Sequence, residues 1–185
     1  MNKLNVAMAV SLACALAACS VGTRYTNPTS DLGTVKRVAV LPFENLAGDK
    51  IAGDRVHKIF LTELLATEAF TVVEPGEVMR AVRNGNYEIA SLGIEDAKRL
   101  AAALKADALF LGTVVEYEDG RGAGAAPQVT LQLRLVDGTT GVTVWSTSDT
   151  RNGATVTAKL FGLGGRTASE VTRGMVQDEL KALVH

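Results

Sequence analysis

The sequence predicts an α/β domain with α+β character: a single mixed β-sheet of about five strands flanked by helices, in the order β-α-β-α-α-β-β-β-α. Two observations predict it. In the first half, short apolar runs rich in branched residues alternate with segments of helical periodicity, as in parallel strands with helical crossovers. In the second half, three strand-like runs follow one another across glycine-containing turns, which is typical of an antiparallel meander.

The first strand and helix are predicted within residues 38–67. The run VAVLPF at 38–43 is apolar and branched, which favours a buried strand, and the stretch 44–49 favours a loop. A helix is then predicted up to about Thr67, because apolar residues recur at helical spacing: Val56, Ile59, Phe60 and Leu64. A strand followed by a helix is the expected start of a parallel crossover.

A second strand and two more helices are predicted next. Residues 70–74 favour a strand that is stopped by Pro-Gly, and residues 77–83 favour a short helix that is closed by Asn-Gly-Asn. Residues 94–105 favour a longer helix. Its predicted buried stripe consists of Ala97, Leu100, Ala101 and Leu104.

The last part of the chain predicts three strands and a closing helix. Residues 107–117 favour a strand, and residues 129–135 alternate apolar and polar side chains as a half-buried strand does. Residues 142–146 return from the turn at 137–141 and complete a hairpin. The closing helix is predicted at 168–184, with four residues toward the core: Val171, Met175, Leu180 and Leu183.

The amino-terminal segment is typical of a secretory signal. Lys3 is the only charged residue before Arg24, and an uncharged run of thirteen residues extends from Val6 to Ala18. A membrane-spanning helix needs about 20 apolar residues. The run is therefore too short to span a membrane and fits the apolar core of a cleavable signal.

The signal ends in Leu16-Ala17-Ala18-Cys19, which resembles a bacterial lipobox. The resemblance implies cleavage between Ala18 and Cys19, S-diacylglycerol on the Cys19 thiol and an N-palmitoyl group on the new amino terminus. Cys14 would leave with the signal, since its own frame misplaces the leucine and would truncate the apolar run. The alternative is an ordinary cleavable signal that contains a chance cysteine.

The residues after the cysteine predict where the chain is held. In Gram-negative sorting an aspartate directly after the lipidated cysteine usually signals the inner membrane, so Ser20 implies the outer membrane and its periplasmic face. The stretch SVGTRYTNPTSDLGT is polar and lacks an apolar period, which predicts a flexible tether. The predicted signal peptide, lipidated tether and folded domain are residues 1–18, 19–34 and 35–185.

Composition excludes several kinds of site. Beyond Cys19 the chain has no cysteine, which excludes a disulfide, a thiolate zinc site and a cysteine nucleophile from the domain. His57 and His185 are the only histidines. The chain has 19 basic and 20 acidic residues, and loss of Lys3 moves the net charge from −1 to −2, so no basic excess favours nucleic acid. We expect no metal, no catalysis and no cofactor besides the covalent lipid.

Three stretches carry a family resemblance. They are RVAVLPFENLAGD at 37–49, ADALFLGTVVEYEDG at 106–120 and VTLQLRLVDGTTGVTVWS at 129–146. Together they resemble the CsgG-like and LpoB-like bacterial lipoproteins, whose fold is similar to the amino-terminal domain of TolB. The resemblance covers nearly the whole domain in the same order. Because the motifs are strand ends and a hairpin, they imply a fold more strongly than an activity.

The family leaves two specific functions open. Channel-forming members carry a long insertion with a membrane-spanning hairpin after the first stretch, whereas Asp49 here runs within a few residues into the helix at Val56. A second hairpin would fall within 146–165, where 154–160 is one weak candidate strand and 146–152 is polar. Members that activate peptidoglycan synthases would need a long tether to reach the inner membrane, and fifteen residues is short for that.

Four residues are predicted to contact a partner: Phe43, Asn45, Trp145 and Phe161. Trp145, the only tryptophan, could also be core. Other candidates receive structural interpretations. We interpret His57 as a helix flank, Glu116 and Glu118 as a solvated hairpin end rather than an acid–base pair, and the glycines at 162–165 as a connection rather than a phosphate loop.

The sequence therefore predicts an outer-membrane-anchored periplasmic lipoprotein that acts as a non-catalytic protein-binding or envelope-assembly module. The expected partners are the membrane, through the lipid, and other envelope proteins, with no nucleic acid. Self-association would accompany the first alternative, a CsgG-like oligomeric secretion-channel component. The second alternative is an LpoB-like activator of peptidoglycan synthases.

Overall fold

A computed structural model describes residues 21–120, 126–154 and 166–184. Its seven strands are β1 (Val21–Thr26), β2 (Arg37–Val40), β3 (Glu44–Asn45), β4 (Thr71–Val72), β5 (Ala108–Glu118), β6 (Gln128–Asp137) and β7 (Thr143–Asn152). Its four α-helices are α1 (Ala52–Ala66), α2 (Pro75–Asn84), α3 (Ile94–Leu104) and α4 (Ala168–Val184). The strands form one sheet in the order β1-β7-β6-β5-β2-β4, and β3 pairs with β5 beyond the end of β2.

The sheet has a parallel half and an antiparallel half. β2 runs parallel to β4 and β5, and β3 also runs parallel to β5. The strands β5, β6, β7 and β1 are antiparallel to their neighbours. The predicted mixed α/β sheet is confirmed, and the predicted elements occur in the predicted order. The difference lies in the strand number, which is seven rather than about five.

The two unpredicted strands are β1, which has six mostly polar residues, and β3, which has two. β3 occupies the start of the stretch that was predicted to be a loop, and β1 occupies part of the predicted tether. β1 pairs with β7 over six residues, from Val21 opposite Thr150 to Thr26 opposite Trp145. Strand pairing uses backbone groups, so an edge strand needs no continuous apolar period. The prediction of a flexible tether is therefore wrong for residues 21–26, which belong to the sheet.

One face of the sheet is covered by α1 and α4 over all strands except the edge strand β1, whose residues Gly22, Arg24 and Thr26 are exposed. Phe60 of α1 packs against Phe43 and Phe110, with ring centroids 5.4 Å and 5.1 Å apart. Trp145, only 1% exposed, lies in the same core together with Met175 of α4. Branched and aromatic side chains that alternate along β5, β6 and β7 supply the sheet side of this core.

The other face is covered only in part. α2 and α3 pack over β2 and β5 through a second core, in which Leu100 and Leu104 of α3 meet Leu109 and Leu111 of β5. The strands β6, β7 and β1 lie beyond these helices, so much of their second face is accessible. Among the described residues, no helix combines the length and the apolar character that a membrane crossing requires.

Candidate functional site

The accessible part of the sheet forms a groove, which we call the open-face groove. Two adjoining depressions of about 480 Å³ and 450 Å³ make up this groove, and Tyr25, Leu111 and Arg134 line both. One wall is formed by residues 89–94, which lead into α3. The floor and the other wall are formed by strand residues, including Thr23, Gln132, Ser146 and Ser148.

The groove follows from the alternation of side chains in β6 and β7. Leu131, Leu133 and Leu135 of β6 point to the α1/α4 core, so Gln132 and Arg134 point to the open face. The register then aligns one residue from each of four strands across the groove. This row consists of Leu111, Arg134, Ser146 and Tyr25. Directly opposite side chains of antiparallel strands lie about 5 Å apart, so the row forms one continuous surface.

Three apolar side chains surround Arg134 at this row. Tyr25 is 48% exposed, Ile94 at the start of α3 is 55% exposed, and Val142 before β7 is 44% exposed. Arg134 is exposed and forms no salt bridge with any residue that the structure describes. Aromatic and arginine side chains dominate the binding energy of many protein interfaces. This composition suits a protein partner better than a small polar substrate.

Acidic side chains lie farther along the same face. Glu44 accepts a hydrogen bond of 3.1 Å from the Thr113 hydroxyl. Glu116 accepts hydrogen bonds from Gln128 (2.8 Å) and Thr130 (3.2 Å). These carboxylates are held by neutral donors of the sheet, not by each other. The open face thus has an acidic part and a part where apolar side chains flank the arginine.

Ion pairs on the covered side hold β1 and β7 against α4. Arg24 of β1 donates to Glu179, which is 4% exposed, over 2.8 Å. Arg151 of β7 pairs with the buried Asp149 at 2.7 Å and with Asp178 of α4 at 2.6 Å. Through Arg24, the helix fixes the strand that brings Tyr25 to the rim of the groove.

The predicted partner contacts do not line the groove. Phe43 and Trp145 are 9% and 1% exposed, so both belong to the core, and the prediction that they contact a partner is corrected. Asn45 is half-buried and braces the following loop by donating to the Asp49 carbonyl (2.8 Å). Phe161 and Cys19, together with the predicted signal cleavage site, lie outside the described residues.

His57 lies on α1 against Phe43, with the two rings edge to face and their centroids 5.3 Å apart. Its Nε2 atom is buried and has no hydrogen-bond partner among the described residues. Burial lowers the pKa of His57, although a hydrogen bond to the Val40 backbone acts in the opposite direction. The neutral ring is therefore favoured. This packed position agrees with the interpretation of His57 as a helix flank.

Sequence reasoning did not single out the residues that form the groove. The alternation in β6 does place Arg134 on the opposite face from the leucines. Which face the helices cover, however, depends on tertiary packing. Tyr25 lies in the predicted tether. Ile94 begins α3 and Val142 directly precedes β7, and no local sequence signal marks either side chain as exposed. In the described part of the chain, no cluster of three or more side chains is suited to bind a metal ion.

No protein-family profile matches the sequence, and no curated protein matches it. Solved structures do share the fold. The PelC dodecamer from Paraburkholderia phytofirmans aligns with a TM-score of 0.64 at 20% identity, over 90% of this chain and 98% of that one. Lipoprotein GNA1162 from Neisseria meningitidis aligns with a TM-score of 0.56 at 16% identity, over 80% and 99%. The LpoB C-terminal domain from Salmonella enterica aligns at 0.50 and 17%, over 68% and 87%. At identities this low, the structural alignments show a shared fold and nothing more.

Proposed function

We propose that this chain is a lipoprotein that is anchored through Cys19 in the outer membrane and faces the periplasm. In this proposal it is a non-catalytic module that binds other envelope proteins through the open-face groove. The observation that carries the proposal is the contrast within the sheet: the face under α1 and α4 is fully packed, whereas β6, β7 and β1 present Arg134 and exposed apolar side chains on the other face.

The position of β1 supports a role close to the membrane. β1 begins at Val21, two residues after Cys19, and two residues of any conformation span at most about 7 Å. Tyr25 lies four residues farther along the strand, about 13 Å from its start. A domain that is lipidated at Cys19 would therefore hold the groove near the membrane. This favours a partner at the same membrane over a synthase-activating role that requires long reach.

Self-association is the second candidate function. The sheet is open, with β1 at one edge, and a free edge can pair with another chain. PelC, which shares the fold, is described as a dodecamer. Native mass spectrometry of the detergent-solubilised lipoprotein tests this candidate, with conductance measurements to detect a channel. A monomer that is silent in a bilayer would remove the channel alternative.

The anchor is tested by metabolic labelling with a clickable palmitate analogue in intact cells. We expect label on the wild-type chain and on Cys14→Ser, because Cys14 leaves with the signal. We expect no label on Cys19→Ser. Membrane fractionation should place the labelled protein in the outer membrane. Equal labelling of Cys19→Ser, or complete absence of label, would contradict the anchor.

The groove is tested by site-specific photo-crosslinking in cells. A photoreactive amino acid at position 142 lies in the groove, and one at position 65 lies on α1, outside the groove, with a comparably exposed side chain. We expect a discrete adduct with an envelope protein from position 142 and none from position 65. An adduct with the mass of two copies of this chain would favour self-association. Equal adducts from both positions would contradict the proposed binding surface.

A further inference from the structure

One end of the sheet, which we call the anchor end, is the end at which β1 begins. The register places the last residues of β5 and β7 at this end together with the first residue of β6. Glu118 pairs with Gln128, Gln128 pairs with Asn152, and Val21 lies beside Thr150. The chain therefore enters the sheet from Cys19 at the anchor end.

An exposed loop lies at the same end. The loop at 46–51 (LAGDKI) follows β3, whose Asn45 pairs with Val114 of β5. Its residues 48–51 border the same open depression of about 760 Å³ as residues 117–120, which include the end of β5 and the two residues after it. The loop therefore projects beside the end of β5. Four strand spacings of about 4.8 Å separate β3 from β1, so the loop and the entry of the chain lie about 19 Å apart.

Two large apolar side chains of this loop are exposed. Leu46 is 60% exposed, the highest value among the large apolar side chains that the structure describes, and Ile51 is 56% exposed. Hydrogen bonds within residues 45–51 hold the loop in the conformation that exposes these two side chains. Asn45 donates to the Asp49 carbonyl over 2.8 Å, and the Ile51 amide donates to the Asp49 carboxylate over 3.0 Å. The exposure is therefore a property of a braced loop.

The charged side chains around the loop do not form a surface that would attract a strongly charged partner. The Asp49 carboxylate is paired with Arg55 at 3.1 Å. Exposed charges of both signs lie at the anchor end of the described chain: the cations are Lys50 and Arg166, and the acids are Asp54, Glu118, Asp119 and Glu170. Because acids outnumber cations there, contact with a bilayer would depend on the apolar side chains and not on attraction to anionic headgroups. Two apolar side chains with a neighbouring lysine suit the boundary between headgroups and acyl chains of a bilayer.

We propose that the anchor end docks on the bilayer, with Leu46 and Ile51 inserted into the leaflet that holds the Cys19 lipid. This inference rests on the proposed lipid anchor. The lipid and the loop then contact the membrane at two points on opposite sides of the sheet end. Two contacts restrict the tilt of the domain, so the strands rise from the membrane. The open-face groove then faces along the membrane surface, toward proteins at the same membrane.

The test uses the full lipoprotein, purified in detergent and reconstituted into vesicles of phosphatidylethanolamine and phosphatidylglycerol. Leu46→Cys, Ile51→Cys and Leu65→Cys each provide one free thiol, because in the proposed lipoprotein the Cys19 sulfur is bonded to diacylglycerol and Cys14 is removed with the signal. An environment-sensitive fluorophore on each thiol reports contact with lipid through quenching by brominated acyl chains. Leu65 is the matched control, since it is 57% exposed but lies near the end of α1, which leads away from the anchor end.

We expect blue-shifted emission and several-fold stronger quenching at positions 46 and 51 than at position 65. Equal quenching at all three positions would contradict a specific docking surface, as would quenching at none of them in protein that co-floats with the vesicles. Protein that does not co-float would instead contradict the lipid anchor itself. The failure of the docking surface and the failure of the proposed function therefore give different results.

Discussion

The two faces of β6 and β7 are built from the same strands and have opposite surroundings. On the covered face Leu133 and Trp145 are each 1% exposed and pack under α1 and α4. On the open face Arg134 and Ser146 alternate with them and line a groove. The first face supplies the apolar burial that stabilises the domain, and the second supplies little burial. Substitutions on the two faces should therefore separate stability from binding.

The largest expected effect is on the covered face. Trp145→Ala removes a fully buried indole and leaves a cavity, which should cost about 3–5 kcal/mol of unfolding free energy. Tyr25→Ala on the open face removes a side chain that is 48% exposed and should cost far less. Urea denaturation followed by circular dichroism measures both. Similar losses for the two variants would contradict the assignment of the faces.

A smaller loss is expected where the sheet meets Phe43. A Cβ at Gly112 would come within 2.6 Å of the Phe43 ring. Gly112→Ala should therefore strain the covered core and cost about 1–3 kcal/mol. Gly174→Ala in α4 is the matched control, because nothing lies within 4 Å of its Cβ position. That change should stabilise the helix by about 0.5–1 kcal/mol, so opposite signs are expected in the same denaturation assay.

The ion pair that holds β1 should have an intermediate effect. Arg24→Ala leaves the buried Glu179 carboxylate without its partner. Because Arg24 is itself 44% exposed, the expected loss lies between those of surface and buried pairs, at about 1–2 kcal/mol. Arg134→Ala on the open face should change stability by about 0.5 kcal/mol or less. Hydrogen exchange should also show faster exchange in β1 for Arg24→Ala alone.

The smallest effect is a pH dependence on the covered face. Burial lowers the pKa of His57, so the folded chain binds fewer protons than the unfolded chain below the ordinary histidine pKa of about 6.5. Above that pH, protonation of His57 does not reduce the free energy of unfolding. The free energy of unfolding then decreases as the pH drops toward the lowered pKa. His57→Gln should flatten this slope in urea titrations between about pH 7 and pH 5.5.

The control for this slope is Asp107→Asn. Backbone hydrogen bonds from Arg37 and Lys36 lower the pKa of Asp107. The contribution of Asp107 to the free energy of unfolding is therefore lost only at a pH more acidic than the range in which His57 titrates. The slope between about pH 7 and pH 5.5 should therefore persist in Asp107→Asn. An unchanged slope in His57→Gln would show that another group titrates in this range.

Local patterns predicted the elements that bury a regular apolar stripe. The closing helix occurs at the predicted residues, and the predicted strand at 129–135 lies within β6, because its alternation is set by the core that it faces. β1 and β3 were missed because their pairing depends on a free neighbouring strand rather than on their own side chains. No window of sequence contains that neighbour.

The groove was less predictable than the fold for the same reason. Aromatic residues such as Phe43 and Trp145 are common at interfaces, which favours them as partner contacts, yet aromatic residues are also common in cores. The structure places both in the core and brings Tyr25, Ile94 and Val142 together instead. These three are far apart in the chain, and only the sheet order and the position of α3 make them neighbours.

In the proposed function the open face binds envelope proteins and the helical side of the domain does not. Charge reversal on each side distinguishes the two surfaces, with Arg134→Glu in the groove and Lys58→Glu on the exposed side of α1. Partners are recovered from chemically cross-linked envelopes with each lipoprotein at matched abundance, and are quantified by mass spectrometry. The proposal predicts that envelope partners of the wild type are lost with Arg134→Glu and retained with Lys58→Glu. Retention of the same partners by both variants, or equal loss from both, would contradict it.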